Sequence, residues 1–212
     1  MKIIFFLIFF IISNNLIAQI KEKDIETYYT ITTEVVNKII SFLDIDYQKF
    51  LISKKFKENY CNLLIDEYVN GKNVKRINLR EEIKGFDNAI YIADNLVNNK
   101  FPIEIISMKI NDSLLKVKTV VGNLAYNLKF KLNDSLPYSW KQLENTSKKD
   151  YKIKTDSLLS LLTFTSPIGE KFTNYPGNFE FCRINNEFVP FKDWYNKLGI
   201  QHYFIFSLQF EK

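Results

Sequence analysis

Histidine is almost missing from this chain: there is one, His202, in 212 residues. A Ser-His-Asp or Cys-His site would have to use it as its base. The alternation around it places it on the apolar side of a C-terminal strand, near one end. No Gly-x-Ser-x-Gly stretch supplies a nucleophile elbow. His202 therefore reads as a packed or edge residue, and no catalytic residue is assigned. Cysteine is nearly as scarce, with Cys61 and Cys182 alone. One histidine and two distant cysteines cannot form the close-spaced ligand pairs of a tetrahedral zinc site. A calcium-loop pattern is also missing, and Asp44 and Asp46 supply too few oxygens by themselves for a hard cation. They read as acids at a helix end and an N-cap, so neither a metal nor another cofactor is expected. Glycine (6) and proline (5) are too few to build a linker, which leaves one body with no internal boundary.

What the chain does have begins with export. Met1-Lys2 is a short positive region, Ile3 to Ile12 is unbroken and apolar, and Ser13-Asn14-Asn15 with Ala18 follow. This is the layout of a secretory signal peptide cut between Ala18 and Gln19. The apolar run is about half of the roughly twenty residues needed to span a bilayer. Residues 1–18 are thus expected to be a signal peptide and 19–212 a single domain, periplasmic or secreted, with no stable membrane span. In an oxidising compartment Cys61 and Cys182 can form a disulfide, whose long loop would stabilise by about 4–5 kcal/mol before strain. The formal charge is +5. Asn, Lys, Ile and Phe are all plentiful, as an AT-rich genome produces, so the lysines need no partner to explain them. Export also argues against nucleic acid.

Residues 101–132 look like the centre of the fold. Leu124, Tyr126, Leu128, Phe130 and Leu132 alternate with Ala125, Asn127, Lys129 and Lys131, giving a strand with one greasy and one wet face. Leu115, Val117, Thr119 and Val121 form the arm before it, joined through a Gly122-Asn123 hairpin turn. Ile103, Ile105, Ile106, Met108 and Ile110 form the first arm, and their change of phase suggests a bulge between 105 and 106. Three- and four-residue apolar steps predict a helix over 24–43 and a second over 47–69 stopped by Asn70-Gly71. A third helix is expected from Asp87 to about Val97, a short one over 156–162, and another over 192–198 closed by Gly199. A long alternating strand ends the chain, from Ile200 to Phe210. The expected class is α+β, with N-terminal helices packed on a mainly antiparallel sheet.

Aromatic residues supply the candidate site. Tyr138 and Trp140 lie in a polar stretch, and Trp194-Tyr195 sit on the short helix before the last strand. Exposed aromatic faces stack on sugars or anchor a protein partner. If the two tryptophans line one surface, both must be accessible and close together. Asp-Ser-Leu occurs at Ser113, Ser135 and Ser157, each serine second in its triplet. The triplet resembles the acceptor pattern for O-glycosylation of exported proteins in Bacteroidota, which implies those serines as candidate sites. Capping and turn chemistry accounts for the same residues without a sugar. The reading is a non-catalytic binding or interaction module whose partner is an envelope protein, a peptide or a glycan. Its rival is a hydrolase of envelope glycans or peptides that uses two carboxylates in a cleft.

Overall fold

The computed structural model describes residues 25–28, 38–39, 41–82, 90–133, 136–143, 158–169, 183–184 and 189–211. These residues build two sheets, packed face to face. The first holds five strands in the order β1-β2-β6-β7-β8: β1 is Ile25–Tyr28, β2 Ile45–Ser53, β6 Lys100–Asn111, β7 Leu114–Val121 and β8 Leu124–Lys131. All of its pairings are antiparallel. The second runs β11-β9-β10-β12-β3-β4, with β5 also paired to β3. Here β3 is Tyr60–Val69, β4 Lys72–Asn78, β5 Ile90–Tyr91, β9 Ser139–Leu143, β10 Leu158–Thr165, β11 Arg183–Ile184 and β12 His202–Glu211. The β11–β9 contact is parallel.

The expected α+β architecture is overturned: a second sheet, not a layer of helices, covers the greasy face of the central strands. Where a helix was expected over 24–43, residues 25–28 are a strand paired with β2, and helical turns remain only around residues 38–42 among those described. The second expected helix is the two strands β2 and β3. Tyr60-Cys61-Asn62-Leu63-Leu64-Ile65 carries apolar side chains on both faces, because β3 is covered on both sides. Such a run satisfies the helical period as well as the strand period. Its β-branched and aromatic residues favour the strand. Asn70-Gly71 does not stop a helix. Both residues have positive φ and join Val69 to Lys72 as a two-residue hairpin turn of the I′ kind. Asn98-Asn99, also both at positive φ, turn the chain between Val97 and Lys100. The third expected helix is reduced to β5 and a 3-10 turn at Ala93–Asn95; Asp87 lies outside the described residues. The helix expected over 156–162 is mostly strand β10.

Other expectations hold. The three central arms form β6, β7 and β8, and Gly122 at φ 58° makes the second turn. The bulge lies elsewhere, however. Pairing runs without a break through Ile105 and Ile106 and shifts between Lys109 and Asn111. Ser107 turns inward and Ile106 outward, which mimics a change of phase in the apolar pattern. The short helix Trp194–Leu198 ends at Gly199, φ 66°, whose N–H reaches the Trp194 and Tyr195 carbonyls.

The main core lies between the sheets. Phe50, Ile103, Val117 and Phe130 from the first sheet meet Leu63, Phe204, Phe206 and Phe210 from the second. The Phe130 ring lies 4.8 Å from that of Phe204. Trp140 of β9 reaches across and donates from Nε1 to Ser107 Oγ of β6 at 2.7 Å. A smaller core covers the other face of the second sheet, where Trp194, Leu198 and Ile200 pack on Tyr203 and Ile205. The last strand, β12, thus sits at the centre of its sheet and is buried on both faces.

Candidate interaction surface

The structure separates the four candidate aromatics onto opposite faces of the second sheet. Tyr138 and Trp140 point into the space between the sheets. The Tyr138 ring stacks on Phe164 at 5.4 Å, and Trp140 packs against Phe164 and Phe206. Both are half-buried. Trp194 lies in the smaller core, 0% exposed, with its indole N–H donated to the Val189 carbonyl. It presents nothing to a ligand. Tyr195 beside it is exposed. The condition of two accessible, adjacent tryptophans is not met.

Tyr138 belongs instead to a polar chain at the rim of the main core. Its hydroxyl lies 2.6 Å from His202 Nδ1, and His202 Nε2 lies 3.1 Å from Glu67 Oε1. A carboxylate only accepts, so Nε2 carries the proton and donates to Glu67. Nδ1 then accepts from the Tyr138 O–H, whose oxygen in turn accepts the Asn133 N–H at 3.2 Å. Burial pushes the imidazole below its ordinary pKa, and Glu67 opposes that shift. Burial also raises the Tyr138 phenol. Neutral His202 thus fastens the loop before β9 to β3. His202 was expected to be packed or at an edge, and it is both buried and at the strand's end.

Several acids of the described residues are committed to single cations. Asp66 is paired with Arg76 through two bonds of 2.7 and 2.8 Å. Glu104 pairs with Lys49, Asp112 with Lys109 and Glu211 with Arg80. Asp44 and Asp46 lie together where β2 begins. Asp46 is held above its usual pKa, first by partial desolvation and then by the Asp44 charge. No group of three His, Cys, Asp or Glu among the described residues is placed to hold a metal. A crevice lined by Cys61, Leu79, Arg80 and Tyr126 is too small for more than a water-sized guest.

The outer face of the first sheet is open. The strand registers arrange it in rungs across β2, β6, β7 and β8. One rung reads Lys49, Glu104, Val120, Ala125; the next Tyr47, Ile106, Lys118, Asn127; the next Ile45, Met108, Lys116, Lys129. Lys131 lies beyond, opposite Leu114. The β2–β6 half is thus largely apolar, and the β7–β8 half is basic. Lys116, Lys118, Lys129 and Lys131 are all exposed, and none is ion-paired with a described carboxylate. Glu104, the acid of these rungs, is taken by Lys49 at 2.9 Å and lies beside Tyr47, whose phenol desolvation and Glu104 together push up to about 12.

The alternation of β8 marks its wet face but does not by itself bring these lysines together. A signal for them was available. A two-residue turn at Gly122-Asn123 fixes the hairpin register, so Lys116 must face Lys129.

Ser113 lies in the exposed turn between β6 and β7, where its N–H and hydroxyl both bond Asn111 Oδ1. Ser135 and Ser157 lie outside the described residues, as does Cys182. Cys61 is a buried free thiol.

Compared with known protein families, curated proteins and solved structures, the chain matches none.

Proposed function

We propose that the chain is an exported, non-catalytic binding module of the periplasm or cell surface, working through the outer face of its first sheet. The observation that carries this reading is the rung array: four exposed lysines with no acidic partner among the described residues, set beside an apolar half on one sheet. Like charges directly opposite, such as Lys116 and Lys129, destabilise a sheet. A partner that supplies negative charge removes that penalty. The alternative, a hydrolase, needs two facing carboxylates in a cleft; Asp66, Glu104, Asp112 and Glu211 are committed to cations, and Asp44 and Asp46 are exposed at the start of β2.

The test is retention of the chain on washed envelope fractions, compared with a variant in which Lys116, Lys118, Lys129 and Lys131 become glutamine. The reading expects strong retention of the parent and loss in the variant, with no release of reducing sugar or free amine from envelope material. Steady release of either product, abolished by removing a carboxylate, would establish the hydrolase instead.

A further inference from the structure

We infer that the partner of this face is an anionic lipid surface, on which the chain lies without spanning it; this rests on the binding-module reading above. Three observations meet at one end of the first sheet. The first is charge. Lys116, Lys118, Lys129 and Lys131 project from two neighbouring strands, and strands lie about 4.8 Å apart. Their ammonium groups therefore form a compact basic plate, able to meet several phosphate headgroups at once. A cluster of this size at a negatively charged leaflet gains affinity from each lysine.

The second is the apolar half of the same rungs. Ile45, Tyr47, Ile106 and Met108 lie beside the lysines and are partly open to solvent. The third is the segment that leads into β2. Phe42 is 88% exposed, Ile39 52% and Leu43 45%, and Ile110, extruded by the bulge in β6, is 47% exposed. Leu43 is two residues from Ile45, which pairs with Met108, which pairs with Lys116. Large side chains this exposed and this close together call for an apolar environment. Basic residues beside protruding apolar ones are the pattern of a surface that rests in the headgroup layer.

A glycan fits the same face less well. Sugar recognition uses flat aromatic rings, and Tyr138, Trp140 and Trp194 are turned into the two cores. The protruding groups beside the lysines are mostly aliphatic, which suits acyl chains. Among the described residues no helix is long and apolar enough to cross a bilayer.

Co-sedimentation with vesicles tests this directly. The full chain and its variant with the four lysines changed to glutamine, which carry residues 1–18 alike, are each mixed with vesicles of phosphatidylcholine alone and of phosphatidylcholine with phosphatidylglycerol. Binding is expected to favour the anionic vesicles at least tenfold. It should be lost at about 1 M salt, where the screening length falls to about 3 Å. The four-lysine glutamine variant should lose about fivefold per lysine, the equivalent of about 1 kcal/mol each. Phe42→Ser should weaken binding to anionic vesicles while leaving the salt dependence in place. Equal binding to both vesicle types, or full binding by the lysine variant, overturns the proposal. Retention of the parent by an acidic polysaccharide such as alginate, with no vesicle binding, also overturns it, yet leaves the binding-module reading intact. Product release from envelope material would instead defeat that reading.

Discussion

Trp140 and Ser107 join the two sheets: the indole N–H of one donates to the hydroxyl of the other at 2.7 Å, across the interior of the sandwich. Ser107 is 1% exposed, so its hydroxyl has no water to fall back on. Removing one partner leaves the other buried and unpaired, at about 1–3 kcal/mol. Trp140→Phe should cost that plus the packing lost against Phe164 and Phe206. Ser107→Ala should cost about 1–2 kcal/mol. Because the two share one bond, the double variant should cost less than the sum of the single variants. Urea denaturation of the four proteins measures the difference.

Gly122 begins the β7–β8 turn at φ 58°. A methyl group there would come within 2.8 Å of the Asn95 side chain. Asn95 is itself engaged, accepting the Asn123 N–H at 3.1 Å and donating to the Tyr91 carbonyl at 2.9 Å. Gly122→Ala therefore meets two penalties, a left-handed backbone of about 1–2 kcal/mol and a clash. In an Asn95→Gly background, which removes the Asn95 Cβ along with its amide, the clash disappears and only the backbone cost should remain. A smaller effect of Gly122→Ala in that background, seen by thermal unfolding, would separate the two. Equal effects in both backgrounds would show that the contact with Asn95 carries no cost.

The contrast between β8 and β3 shows how much could be read from residues alone. β8 was legible because one face is wet: Lys129 and Lys131 alternate with Phe130 and Leu132, and period two has no competitor there. β3 was not, because the smaller core and the sheet-to-sheet core cover it on both sides, so its apolar residues lose their alternation. Two-residue turns had the same ambiguity. Asn70-Gly71 suits both a helix end and a I′ hairpin, since both need positive φ. Which one forms depends on whether β4 can pair with β3, a tertiary fact. The candidate site suffered in the same way. Trp194 was a candidate only as an aromatic on the short helix before the last strand, and Tyr203 and Leu198 pack with it in the smaller core. The Glu67–His202–Tyr138 chain joins residues 135 and 64 positions apart, beyond the reach of any local pattern.

Cys61 is 1% exposed, and burial drives its thiol well above the ordinary range. The thiolate is the reactive form, so the native side chain should be inert. In a Cys182→Ser variant, which leaves one thiol to count, a maleimide should fail to modify the folded protein over hours. It should react fully once the chain is unfolded in guanidinium. Rapid labelling of the native variant would show that β3 opens locally at that position.

His202 is the only histidine, so no other side chain has an ordinary pKa near 6.5. Its native pKa is lowered, first by burial and against the pull of Glu67. The unfolded chain therefore binds a proton near pH 6.5 that the native state still refuses. By linkage the native state loses stability as pH falls from about 6.5 toward the lowered native value, and the contribution is complete above pH 6.5. Protonation also breaks the hydrogen-bond logic of the rim. Both ring nitrogens then donate, so the Tyr138–His202 bond must reverse: the phenol oxygen accepts from Nδ1–H as well as from the Asn133 N–H, and its own proton loses this acceptor. Unfolding midpoints measured from about pH 7.5 to 5 should fall for the parent chain. His202→Asn, which can still accept from Tyr138, should flatten that slope while lowering stability at neutral pH through the lost bond to Glu67. One imidazole resonance in a proton NMR titration reads the native pKa directly; a midpoint at or above 6.5 would contradict the lowered value and with it the acid sensitivity.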